Sequence, residues 1–208
     1  MLRVVVVDDH AVVREGLKRI ISESANMTVT AEAAGGNEAI EIVSRTPCDA
    51  VVLDISMPDR NGIEVLKELR ARCPSVPVLM LSIHSEDQCA LRSLRAGAAG
   101  YLTKDAAPAN IVEAIRKVVR GGKYVSSSLA EKLVDFDLEG EPPHELLSDR
   151  EYQVLCMIGS GKTVSQIAAE LRLSVKTVST YRARILEKLD MANNAEITRY
   201  AIKAGLVD

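Results

Sequence analysis

The sequence predicts a five-stranded, doubly wound parallel α/β sheet followed by a small all-α domain of four helices. Three observations lead there. Five short apolar runs alternate with stretches of helical periodicity up to residue 122, the pattern of a parallel sheet covered on both faces. Two of those runs, VVVV at 4–7 and AVVL at 50–53, are apolar throughout, as strands buried on both sides are. Beyond residue 145 the strand signal stops, and only helix caps and helical spacing remain.

Taken in order, residues 4–7 read as the first strand, and Val12, Leu17, Ile20 and Ile21 follow with helical spacing. Residues 27–31 form a weaker second strand, and Ala39, Ile40 and Val43 the inner face of a second helix. Residues 50–53 are the third strand, followed by a helix carrying Ile63, Val65, Leu66 and Leu69. Residues 77–81 are the fourth strand, 86–96 a helix, and 100–102 a short fifth strand. Pro108 stands where a helix can begin. That helix carries Ile111, Ile115, Val118 and Val119 and ends at Gly121 and Gly122. Right-handed crossovers then give the doubly wound arrangement.

The predicted domains are 1–122, a linker at 123–144, and 145–208. The linker holds one short helix near 129–134, then acids, Gly140, Pro142 and Pro143. In the last domain Ser148 and Glu151 form a capping box, as do Thr163 and Gln166, and Ser174 caps a third helix. That third helix carries Val178, Tyr181, Ile185 and Leu189 along one face. A fourth helix covers 197–204 and ends at Gly205.

Composition narrows the function. No apolar run approaches the ~18 residues of a membrane span, and acids interrupt the start of the chain too early for a signal peptide. A cytoplasmic protein is expected. Cys48, Cys73, Cys89 and Cys156 match no metal or redox spacing and are expected to be free thiols. Net charge is −3, distributed unevenly: residues 1–124 are neutral, 125–144 carry −4 and 145–208 carry +1. Within 172–188, five bases stand against Glu187 alone, a local excess that suits a polyanion.

Ligands of a doubly wound sheet bind outside the carboxyl ends of its strands, where strand order reverses. Asp8 and Asp9 fall at the end of the first strand, Asp54 at the end of the third and Ser82 at the end of the fourth. Lys104 follows the fifth. Crowded carboxylates repel one another, and a hard divalent cation relieves this. One of them can then attack phosphorus to form an acyl phosphate, with Lys104 and Ser82 placed to meet the phosphoryl oxygens.

The paired Asp8 and Asp9, Asp54 followed by SMPDRNG, Ser82 and Lys104 resemble the receiver domain of two-component response regulators over residues 2–121. The resemblance implies Asp54 as phosphoacceptor from a sensor histidine kinase, with Mg2+ held by Asp8, Asp9, Asp54 and the backbone carbonyl of Ser56. It implies Ser82 as the switch hydroxyl, Tyr101 as the aromatic that turns inward on activation, and Gly62 as the loop glycine. Asp105 stands where many receivers have proline after the lysine. Ser56 and His84 occupy the positions that influence phosphoryl lifetime in this family.

Residues 145–208 resemble the four-helix LuxR-type DNA-binding domain of NarL/FixJ-type regulators, through LSDREYQVL, IAAELRLSVKTVSTYRARILEKL and AEITRYAI. Residues 174–189 would be the recognition helix. Lys176, Thr177, Ser179, Thr180 and Ala183 would face the bases, and Arg182, Arg184 and Lys188 the phosphates. The last helix would be a dimer surface, although Ile197 suits a core position equally. The expected whole is a phosphorylation-controlled transcription factor and not an enzyme. Its expected partners are a histidine kinase, double-stranded DNA, RNA polymerase and, on phosphorylation, a second copy of itself.

Overall fold

The computed structural model describes residues 1–82, 88–126, 129, 130 and 142–207. The chain divides into two compact units, Met1–Val134 and Asp135–Asp208. In the first unit, strands β1 (Leu2–Val7), β2 (Met27–Ala33), β3 (Ala50–Asp54), β4 (Val78–Ser82) and β5 (Gly100–Thr103) alternate with five helices. These are α1 (Ala11–Glu23), α2 (Gly36–Arg45), α3 (Gly62–Arg72), α4 (Gln88–Arg95) and α5 (Ala107–Val119). The strands form one parallel sheet in the order β2-β1-β3-β4-β5.

Side chains alternate across a strand, so an unbroken apolar strand feeds two cores. Val5, Val7, Val51, Leu53 and Met80 pack with α2, α3 and α4 on one face. Val4, Val6, Ala50, Val52, Leu79 and Leu81 pack with α1 and α5 on the other. That is why VVVV and AVVL carry no polar residue until their tips. The fourth strand starts at Val78 because Pro77 has no N–H for the ladder; its carbonyl still accepts from Val51 N–H at 3.0 Å.

Two expectations need correction. Val12 is 85 % exposed and takes no part in the inner face of α1, where Leu17 and Ile21 are buried and Val13 packs beside them. The predicted linker also begins later than residue 123. Tyr124 bridges to Gly100 alongside β5, its carbonyl accepting from Tyr101 N–H at 2.9 Å and its own N–H donating to Ala99 O at 3.0 Å. Val125 and Leu129 then pack into the sheet core, so this stretch closes the edge of the first unit. Of the helix expected near 129–134, residues 129 and 130 are helical and the remainder lies outside the described residues.

The second unit holds a short 3-10 turn (Pro143–Leu146) and helices α6 (Asp149–Gly159), α7 (Val164–Glu170), α8 (Val175–Lys188) and α9 (Asn194–Lys203). Both capping boxes form, and Ser174 accepts from Thr177 N–H at the start of α8. Leu155, Ile158, Ile167, Val178, Ile185, Ile197 and Ala201 make the core, which settles Ile197 as a packing residue. Tyr181 and Leu189, expected on the same seam as Val178 and Ile185, are only half-buried. Gly159 is required where α6 meets α9: a Cβ there would lie 2.6 Å from the Ala201 methyl. Among the described residues no helix is long and apolar enough to cross a membrane.

Candidate functional site

Strand order reverses at β1, which has β2 on one side and β3 on the other. Val7 pairs with Leu53, so the residues that follow, Asp8 and Asp54, emerge side by side at the carboxyl edge. Both are fully buried. Ser82 ends β4 on the same edge, also buried, and pairs with Thr103 of β5. Lys104 follows, its N–H donating to Ser82 O at 2.7 Å. That bond anchors the base of the lysine, and its long side chain spans β4 to reach both acids. Nζ lies 2.7 Å from Asp8 Oδ2 and 2.9 Å from Asp54 Oδ2.

The turn after β3 holds Asp54 in place. Gly62 N–H donates to Ile55 O at 2.8 Å, and Ser56 bridges to Asn61, whose side chain accepts from Ile63 N–H to cap α3. A Cβ on Gly62 would lie 2.1 Å from the Asp54 carbonyl oxygen, so no larger residue fits this close approach. Asp59, from the same turn, accepts from Gly36 N–H at 3.0 Å and Asn37 N–H at 3.1 Å, capping α2, whose own cap position is the side-chain-less Gly35.

Burial pushes the Asp54 carboxyl up, Asp8 adds to the rise and Lys104 opposes it, leaving a pKa of about 6 against an ordinary 3.8. Burial alone would lower the Lys104 pKa, but Asp54 and Asp8 outweigh it and hold the ammonium above its ordinary value. Asp54 is therefore ionised at neutral pH and close to protonation, opposite a fixed cation. Asp54 Oδ1 is buried with no hydrogen-bond partner. Asp8, Asp9, His10 and Asp54 each offer a donor atom within 4.8 Å of the others. Three carboxylates beside one ammonium form a donor set that suits a hard divalent cation.

Tyr101 is fully buried in β5. His84 lies outside the described residues. No cis peptide bond occurs among the described residues, so the Lys104–Asp105 link is trans. Two residues of the edge were not anticipated from the sequence, His10 and Arg14. Arg14 donates to the Asp8 carbonyl at 2.6 Å and pairs with Glu32 at 3.6 Å. The available signal was a histidine directly after two acids at a strand end.

In the second unit, Lys176, Ser179, Thr180, Ala183 and Arg184 are exposed on α8, and Thr177 is half-buried. The Thr180 hydroxyl donates to Lys176 O at 3.0 Å, which leaves its lone pairs outward. Two of the residues expected at phosphates also make contacts within the fold. Lys188 Nζ lies 2.6 Å from Glu151 Oε2 and 3.3 Å from Leu146 O. Arg182 donates to Asn194 Oδ1 at the start of α9. Glu151 is nearly buried; burial would raise its pKa, but Lys188 and the Ser148 cap hold it below its ordinary value.

Residues 4–116 match the family described as response regulator receiver domain, and residues 145–201 the bacterial regulatory proteins of the luxR family. The chain is 38% identical over 209 residues to response regulator UvrY of Escherichia coli K12, covering 99% of this chain and 96% of UvrY. It is 39% identical over 210 residues to response regulator GacA of Pseudomonas protegens, covering 100% and 99%. Among solved structures, response regulator ChrA of a heme-sensing two-component system aligns over 99% of this chain and 98% of its own, with TM-score 0.54 and 32% identity.

Proposed function

The chain belongs to the NarL/FixJ-type response regulators, which join a receiver domain to a LuxR-type DNA-binding domain, and we propose that Asp54 is the residue through which phosphorylation controls its regulation of transcription. The observation that carries this is the salt bridge from Lys104 to both Asp8 and Asp54. It holds a buried, orphaned carboxylate oxygen at the tip of β3.

The phosphoryl donor is a phosphohistidine on a sensor kinase. The Asp54 carboxylate attacks phosphorus, the O–P bond forms as the N–P bond of the donor breaks, and the departing imidazole takes up a proton. Asp8, Asp9, Asp54 and the Ser56 carbonyl would hold Mg2+, which when bound offsets negative charge on the phosphoryl oxygens. Lys104 neutralises one equatorial oxygen without leaving the pocket, and the Ser82 hydroxyl donates to another. Because Ser82 O accepts from Lys104 N–H, their shift toward the phosphoryl group moves the ends of β4 and β5 together. Tyr101 N–H grips Tyr124 O, so that shift is felt at the start of the chain that leads out of the receiver. A local charge change thereby biases a two-state element.

Phosphorylation would favour a homodimer that sets two α8 helices on the half-sites of an operator. Lys176, Thr177, Ser179, Thr180 and Ala183 would read bases, Arg184 would contact phosphate, and RNA polymerase would be the downstream partner in the cytoplasm. The expected footprint on the target promoter strengthens with a small-molecule phosphate donor in wild type and stays unchanged in Asp54→Ala. If both bind equally with the donor present, the chain acts as an orphan regulator independent of the pocket.

A further inference from the structure

His10 follows the paired acids directly and turns its ring toward them. Its N–H donates to Asp8 Oδ1 at 2.8 Å, and its ring Nδ1 lies 3.3 Å from that same oxygen. Nδ1 is 2.9 Å from Asp9 Oδ1. On an ion with bonds of about 2.0–2.1 Å, neighbouring ligands of an octahedron or tetrahedron sit roughly 2.9–3.4 Å apart. Nδ1 thus stands at the spacing of an adjacent ligand from each of the two carboxylate oxygens. The buried Asp54 belongs to the same four-donor group, whose atoms all lie within 4.8 Å of one another.

We propose that His10 Nδ1 is a ligand of the cation held by Asp8, Asp9 and Asp54, making the pocket a mixed imidazole–carboxylate site. This rests on reading the pocket as a cation site and adds a claim about which cation it prefers. Oxygen donors alone suit Mg2+, whereas imidazole adds little for Mg2+ and much for ions later in the first transition series. The pocket therefore takes Co2+ or Zn2+ in preference to Mg2+ by a wider margin than its carboxylates would give. The ring nitrogen that faces the acids meets only them, and a cation seated between these atoms would replace those contacts. The ring is 59% exposed, and His10 occupies the cap position of α1 without making a side-chain cap bond. Replacing it removes the ring's contacts with Asp8 and Asp9 but no side-chain cap bond of that helix.

The test uses the full-length, untagged chain as wild type, His10→Ala and Asp9→Asn, with Co2+ and Mg2+ binding measured by competition calorimetry. Proton NMR of the Co2+ form supplies the second readout, a hyperfine-shifted imidazole N–H. In His10→Ala, Co2+ affinity should fall by about tenfold while Mg2+ affinity changes by less than about threefold. The shifted N–H signal should vanish. Equal Co2+ to Mg2+ preference in wild type and His10→Ala, with the same NMR signals, overturns the ligand role while leaving the cation pocket intact. Asp9→Asn should weaken both ions, and if it weakens neither, the pocket reading itself fails.

Discussion

Asp54→Asn is expected to stabilise the receiver in metal-free buffer at neutral pH. The carboxyl is fully buried, and its pKa stands at about 6 against 3.8. A displacement of that size corresponds to about 3 kcal/mol of disfavour for the ionised form. Because the folded-state pKa is raised, folding favours protonated Asp54. That contribution is complete below about pH 3.8 and is lost as pH rises through about 6. An asparagine resembles the protonated acid in shape and lacks the charge, so it keeps the contribution at every pH. The loss of the Asp54–Lys104 contact is already included, since Lys104 opposes the rise, and Lys104 keeps Asp8 as partner. Amide hydrogen exchange on peptides from β1 and β3, with a chelator present, reads this in the intact chain. At pH 7.5 the variant should exchange about 100-fold more slowly than wild type, and the difference should shrink toward zero near pH 4. Equal protection at pH 7.5, or a gap independent of pH, would refute the argument that desolvation dominates this carboxylate.

Two further substitutions test how the site is supported. Asp59→Ala removes the acceptor for Gly36 and Asn37 N–H and should cost about 1 kcal/mol in urea unfolding at pH 7. Burial raises the Asp59 pKa, but those N–H groups bring it below its ordinary value; its stabilisation is therefore present above the usual carboxylate range and is lost as pH falls through the lowered pKa. Lys188→Met should lower the melting temperature of the DNA-binding unit, a loss of about 1–2 kcal/mol, because it leaves the nearly buried Glu151 without its cation. Arg184→Ala should leave the melting temperature unchanged and reduce the salt dependence of DNA binding by about one phosphate per protomer in an electrophoretic titration. If the two act alike in both assays, the division between fold and DNA contact is wrong.

The sheet was legible because burial on both faces leaves an unmistakable pattern: VVVV and AVVL have no polar face to dilute them. The pocket was legible for the complementary reason. A parallel sheet brings the ends of its strands to one edge, so Asp8, Asp54, Ser82 and Lys104 could be placed together without knowing a single side-chain position. What escaped depends on contacts between residues far apart in sequence. Asp59 caps a helix 22 and 23 residues before it. Tyr124 looked like linker because nothing in its neighbourhood reveals that the edge of β5 awaits a partner. Val12 misled because it is apolar and opens α1, while the spacing of four residues to Leu17 belongs to Val13, which packs there.

The basic helix sharpens the same point, since charge density measures supply and not use. Arg182 and Lys188 flank the expected reading face as well as Arg184 does, and by spacing alone all three serve phosphate equally. Their partners separate them. Lys188 reaches Glu151, 37 residues earlier, and Arg182 reaches the first turn of α9. A base already engaged by a nearly buried carboxylate gives up a charge-assisted hydrogen bond to meet a phosphate, which costs about as much as the new contact returns. Arg184 is exposed, and no such exchange is evident among its described contacts. The two engaged bases are therefore expected to serve recognition through the fold, Lys188 by its carboxylate partner and Arg182 by the Asn194 amide. By tying α8 to α6 and α9, they fix the angle at which Lys176, Ser179 and Thr180 are presented. Altering them should weaken binding to every sequence through the fold, whereas altering Thr180 should change which sequence is preferred.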